Sequence, residues 1–342
     1  GGLSLSEVSA AWKDTFDWKL HGLVRTAFAY GFPRRYSLWE LRHGLEAFER
    51  SAAPVFSMYV VSTDGLAHLS GPDALADVLV AVQTQLADFR QCHRHKPFYT
   101  VLLSDHGIAG GESLRNIWPA VRRAVIKAGF RPRNRLGAGD RDVVFNPYGL
   151  LTGFVIYTHP AQAAAVAATV AEVPGVDLAA VRKGADCWQL LSARGGAEIM
   201  RRGGIDGGLW RYRQLGGDPL GYASLQPATS EWAPDKYWFD ASRGSFYADA
   251  LHRVAQSFEL AAAPASVVCS CTPGCMFGGI KTELLSRATV GRLKWTHGAL
   301  HRDASLGFMM SDLPAWEAPP MVRAEEALEC LAAAKAAKQE SA

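Results

Sequence analysis

The stretch "MYVVSTDGLAHLSG", Met58 to Gly71, starts as a short apolar run and then turns polar, with an acid at Asp64 and an imidazole four residues on at His68. Residues 55–62, "VFSMYVVS", are rich in Val and aromatics, as a buried parallel strand is. In the segment that follows, "GPDALADVLVAVQTQLADFRQC", Pro72 stands near a helix start. Leu75, Val78, Leu79, Val82, Leu86 and Phe89 recur there at three- and four-residue steps, which is one helical face. A second apolar run comes at residues 98–104. Strand, helix and strand within about fifty residues predict a βαβ unit, and so a parallel sheet covered by helices.

Another helix is expected over 113–128, stopped by Gly129. From about Val143 to Arg213 the texture changes. "GLLTGFVIYTHP", the Ala-rich "AQAAAVAATVAEVPG", "LAAVRKG" and "CWQLLSARG" suggest a small α+β unit of short strands, inserted into the main fold. A helix around 245–259 and strands at 265–270 and 292–296 then return to the main sheet, and an Ala-rich helix ends the chain. The expected fold is α/β, a mostly parallel sheet between helices with a small inserted α+β subdomain. Its expected divisions are a core over 1–142, the insertion over 143–215, the rest of the core over 216–322, and a C-terminal tail over 323–342.

The 342 residues are 49% hydrophobic with a formal charge of +3, enough for a large core and too balanced for an extended basic surface that would take nucleic acid. No apolar run approaches the roughly 18 residues that span a bilayer. The opening "GGLSLSEVSAAWKDTF" has neither an initiator Met nor the regions of a signal peptide, and gives no compartment. Six cysteines include the group "CSCTPGC" (Cys269, Cys271, Cys275), whose spacing is not that of a zinc ribbon; it reads as a strand end and turn containing small apolar thiols.

Three motifs carry ionisable groups just past strands: Asp64 and His68, then Asp105 and His106 in "SDHG", then His297 in "WTHGALH". Loops at the carboxyl ends of parallel strands converge on one crevice, and imidazole nitrogen and carboxylate oxygen are ligands of Zn²⁺ and related ions. Gly107 and Gly298 would let the backbone turn beside such ligands. Singly, each motif is an ordinary surface turn; together, in this order, they point to a metal pocket.

The order D-x-x-x-H, S-D-H-G, T-H-G resembles the alkaline phosphatase superfamily, and within it the type I phosphodiesterase/nucleotide pyrophosphatase branch. "STDGLAHLSGP", "VLLSDHGI", "GDPLGY", "ADALHR" and "THGALHRDASLGFMM" carry the likeness, which runs from about Pro54 to Met310. It implies a metal-dependent hydrolase of phosphoric esters, acting on a small-molecule phosphoester. Two divalent ions are implied, Zn²⁺ with Mn²⁺ as the alternative: Asp64, His68 and His297 would hold one, Asp105 and His106 the other. In the family the second ion also takes an aspartate and a Thr or Ser nucleophile from a segment before D-x-x-x-H. Asp14 and Thr15 in "WKDTFDWKL" follow no apolar strand, and Thr63 and Ser104 read as turn residues. The chain is therefore expected to start mid-domain, with the nucleophile upstream of it. Phosphonate or sulfate ester hydrolysis, a phosphomutase, and a non-catalytic metal-binding fragment remain open on the same residues.

Other features read as structure. "GCMFGGIKT" lacks the G-K step of a phosphate-binding loop. "HRH" (His93–His95) reads as a solvated helix end, His301 and Asp303 as a turn or substrate neighbours, and Trp232, Tyr237 and Trp238 as packing.

Overall fold

The computed structural model describes residues 16–20, 22–145, 149–204, 207–227, 231–259, 263–289, 291–313, 317–327 and 329. Asp14, Thr15 and most of the expected C-terminal helix lie outside them. The chain is a mixed α/β protein with two units, one spanning Ala109–Ala304, the other Phe16–Ile108 with the chain from Ser305 onward.

In the first unit, nine described strands form one sheet, in the spatial order Ala233–Pro234, Leu209–Gly217, Gly195–Arg202, Cys187–Ser192, Val176–Gly184, Val267–Cys271, Gly153–Thr158, Asp142–Phe145 and Arg131–Arg133. Every neighbouring pair is antiparallel except the last two, which run parallel. This large sheet is mixed, where a mostly parallel one was expected. The reason is its connections. Gly184 and Cys187 are joined through only Ala185 and Asp186. Ser192 and Gly195 are joined through Ala193 and Arg194, with Gly195 at φ +116°. A two-residue link can only send the chain back antiparallel, whereas parallel neighbours need a long crossover.

Both faces of the sheet are covered. Ala179 and Val181 lie against Val166, Val170, Val121 and Val125 on one side. Leu178 and Ala180 lie against Trp188, Trp210, Leu251 and Phe258 on the other. This alternation with period two explains why Val176–Gly184 opens with six buried residues in succession. Strands from the stretch 143–215 thus flank Val267–Cys271 within a single sheet. The expected helix over 113–128 is Trp118–Lys127, with Pro119 in its first turn and Gly129 at φ +83° past its end. The one expected over 245–259 starts at Ala250, after Asp249 at φ +53°.

The second unit has the helices Leu23–Gly31, Pro33–Arg50 and Ser62–Cys92, and the last two build a core of Leu41, Leu45, Leu66, Val78, Val82 and Leu86. Its strands are two or three residues long. Trp18–Lys19 pairs parallel with Met58–Tyr59, and Val101–Leu103 pairs antiparallel with Met309–Ser311. The expected parallel partnership of the strands near 58 and 101 is not among the described pairings. The Ser62–Cys92 helix is broken at Gly71 (φ +79°), immediately before Pro72, so Pro72 does open a helix. By length and composition alone this helix could cross a membrane, but Leu66, Val78, Val82 and Leu86 on it face the core.

The start of that helix is fixed from outside. Ser37, Glu40, Leu41, Gly44 and Leu45 form the buried stripe of Pro33–Arg50, so Glu40 points inward. Its carboxylate accepts from the Ser62 amide at 2.9 Å and from the Ser62 hydroxyl. The Ser62 and Ser37 hydroxyls lie 3.1 Å apart. At the other end of Pro33–Arg50, the Lys96 ammonium donates to the carbonyls of Phe48 and Ser51 at 2.8 and 2.7 Å, satisfying last-turn acceptors.

Burial raises the Glu40 carboxyl against the Ser62 bonds that lower it. A folded pKa above the unfolded one means the folded chain holds that proton more tightly, so this contribution is complete in acid and is lost as pH rises through the folded value. Glu40→Gln should therefore flatten that decline in denaturation midpoints measured across pH. Glu40→Ala, which strands the Ser62 donors, should cost about 1–3 kcal/mol.

Candidate metal centre

The strand near residue 58 stops at Tyr59, and Asp64 and His68 fall on the first turns of the Ser62–Cys92 helix instead of a loop after a strand. The correction matters chemically. Residues four apart lie on one helical face, and His68 Nε2 is 3.2 Å from Asp64 Oδ1. The same oxygen is 3.8 Å from His106 Nε2, which is 3.6 Å from Asp105 Oδ1. Four of the five expected ligands, from motifs far apart in sequence, are thus gathered within one unit.

His106 is oriented for ligation. Its Nδ1 is 2.9 Å from the Gly107 carbonyl oxygen. A carbonyl can only accept, so Nδ1 carries the proton, and in the neutral ring Nε2 offers its lone pair. Metal-bound histidines characteristically have this arrangement. Gly107 contributes that carbonyl and is not among the glycines at positive φ; Gly298 is, at +97°. The side chains of Asp64, His68 and His106 are 20%, 11% and 23% exposed, and Asp105 is 63% exposed.

Sequence reasoning missed two tyrosines. The Tyr30 hydroxyl donates to Asp64 Oδ2 at 2.7 Å. Its phenol is pushed far up, by burial first and then by Asp64. Tyr59 is pushed up to about 12, by burial and then by the charges of Asp105, Asp64 and Glu40. Neither had a local signal, since Tyr30 stands on a different helix from Asp64. Glu40 did have one, an acid on an otherwise apolar helical stripe.

In the other unit, His297 follows Trp295–Thr296, a strand antiparallel to Ala109–Gly110. The turn is well anchored: the His297 carbonyl accepts from the Thr152 amide at 2.8 Å, and the Thr296 hydroxyl donates to the Leu150 carbonyl at 2.7 Å. The Ala299 amide donates to the Thr152 hydroxyl at 2.8 Å. A Cβ on Gly153 would come 2.1 Å from the Gly298 carbonyl oxygen. His301 is buried and stacks on Phe246 at 5.2 Å; burial lowers its imidazole.

The remaining motifs are absorbed by packing. Burial pushes the Cys269 and Cys271 thiols far up, keeping them protonated in the sheet. A Cβ on Gly278 would meet the Gly149 carbonyl oxygen at 2.3 Å, so that glycine serves backbone contact. Trp238 is buried and donates from its indole nitrogen to the Trp210 carbonyl at 3.0 Å. His93 sits past the end of its helix, with Nε2 3.0 Å from Glu49. Thr63 donates to the Val60 carbonyl at 2.7 Å, and the Ser104 hydroxyl accepts from the Phe308 amide at 2.9 Å.

No protein-family profile, curated protein or solved structure matches this chain.

A Cβ on Gly110 would meet the Lys294 carbonyl oxygen at 2.1 Å, while one on Gly111 meets nothing within 4 Å. Gly110→Ala should push away the strand that leads into His297 and cost about 1–3 kcal/mol. Gly111→Ala should leave the denaturation midpoint unchanged.

Proposed function

We propose that this chain carries the metal-binding part of a phosphoric ester hydrolase of the alkaline phosphatase type. Asp64, His68 and His297 would hold one divalent ion and Asp105 and His106 a second. The donor set is oxygen and imidazole, which suits Zn²⁺ and admits Mn²⁺. The observation that carries the reading is the gathering of Asp64, His68, Asp105 and His106 in one unit, with Nδ1 of His106 engaged by a carbonyl and Nε2 turned toward the carboxylates. His297 enters this reading through its T-H-G motif.

When bound, such ions supply Lewis acidity, polarising a phosphoryl oxygen and lowering the pKa of a coordinated hydroxyl. The chain's own part is to hold donors in place. Asp64 and His68 are fixed on one helical turn whose start Glu40 secures, His106 is held in one tautomer by Gly107, and Asp105 lies toward solvent, where substrate arrives. Thr63 and Ser104 are engaged with backbone groups. On this reading neither of them is the nucleophile. The substrate class is a small phosphoester.

Chelator competition tests the ligands. His68→Ala and His297→Ala should each weaken binding of the tighter Zn²⁺ ion at least tenfold, while His106→Ala should affect the other ion more. Unaltered Zn²⁺ affinity in all three variants would sink the assignment. With Zn²⁺ added, residues 1–342 should hydrolyse a nitrophenyl phosphate ester only slightly; robust turnover would put the nucleophile inside this chain.

A further inference from the structure

We propose that Tyr30 is a positioning residue for the ion held by Asp64, confining that carboxylate to binding through Oδ1 alone. The inference rests on the reading of Asp64 as a ligand and adds how it binds. The two oxygens of Asp64 have different surroundings. Oδ2 accepts from the Tyr30 hydroxyl at 2.7 Å. Oδ1 is the one that His68 and His106 approach, at 3.2 and 3.8 Å. Donor atoms about 2.0–2.2 Å from one Zn²⁺ stand about 3.3–3.6 Å apart in a tetrahedron, so the 3.2 Å between Oδ1 and His68 Nε2 is close to an edge of a coordination shell built on Oδ1. A bidentate carboxylate would have to swing Oδ2 toward the ion and break the Tyr30 bond.

That bond is built into the backbone. Tyr30 lies in the last turn of the Leu23–Gly31 helix. It reaches Asp64 because residue 65 is glycine: a Cβ there would come 2.9 Å from Tyr30 Cδ1 and 3.2 Å from its Cα. Two helices therefore touch closely beside the ligand, and the phenol has little room to follow a rotating carboxylate. Monodentate binding keeps the coordination number low, which leaves a position for a substrate oxygen.

Co²⁺ substituted for Zn²⁺ provides a test independent of turnover, because four-coordinate Co²⁺ absorbs visible light several-fold more strongly than five- or six-coordinate Co²⁺. The 1–342 chain is expected to show the intense band. Tyr30→Phe, which removes only the hydroxyl, should lose much of it and bind the ion about 10–100-fold more weakly, as for other groups that orient a ligand. Gly65→Ala, which keeps the hydroxyl but displaces it, should shift the spectrum in the same direction, with circular dichroism checking the fold of both. A Tyr30→Phe protein with the parent's band and affinity would overturn the positioning role while leaving Asp64 a ligand. A parent chain that binds no Co²⁺ would overturn the ligand reading, and this inference with it.

Discussion

The candidate site depends on where the Ser62–Cys92 helix begins, and that is fixed by the buried carboxylate of Glu40. A helix start leaves amides without intrahelical acceptors, and Val61 at the cap offers no side chain to serve them. Glu40 reaches across from the preceding helix to accept from both donors of Ser62. Burying a carboxyl costs free energy unless hydrogen bonds compensate, so the contact is specific. A slip of one residue in it would turn Asp64 and His68 by about 100°, away from Tyr30 and His106. Packing of Leu41 and Leu45 against Leu66 and Val78 holds the helices together; Glu40 sets their register.

The residue types at the site were legible in the sequence, and the geometry that gathers some of them was not. Asp64, His68, Asp105 and His106 were picked as acids and imidazoles after apolar runs, on the argument that parallel strand tips converge. Within their unit they do lie together, but Asp64 and His68 meet through an i, i+4 helical spacing. "STDGLAHLS" is poor in strong helix formers and rich in residues that favour turns. What makes it helical is non-local: Glu40 on Ser62, and the close approach that Gly65 allows to Tyr30. A reading by local pattern cannot weigh such contacts.

The large sheet divides in the same way. Its apolar strands and the Ala-rich helix Ala163–Ala171 were visible in the residues, and the two-residue links at Ala185–Asp186 and Ala193–Arg194 carried the antiparallel direction as well. The place of Val267–Cys271 between Val176–Gly184 and Gly153–Thr158 was not visible. Those pairings close long stretches of intervening chain, and the reward for closing them is side-chain packing on both faces, which periodicity does not rank.

Carboxylates in this protein meet guanidinium groups, imidazoles and phenols, and the kind of partner bears on what else they could bind. In the sheet unit Arg194 lies 2.8 Å from Asp177 and Arg201 lies 2.8 Å from Glu259, while Asp218 accepts from the Tyr212 phenol at 2.7 Å and Asp235 lies 3.5 Å from His252. The arginine pairs complete themselves, since arginine has donors only and no lone pair to share with a cation. Around Asp64 the partners are His68, His106 and the Tyr30 phenol. An imidazole in its neutral form can turn a lone pair to the same cation that the carboxylate binds, and a phenol can steady the carboxylate without competing for it. The Tyr59 phenol is raised by burial first and then by the charges of Asp105, Asp64 and Glu40. The acids and imidazoles brought together there are the donors that the proposed cation would take.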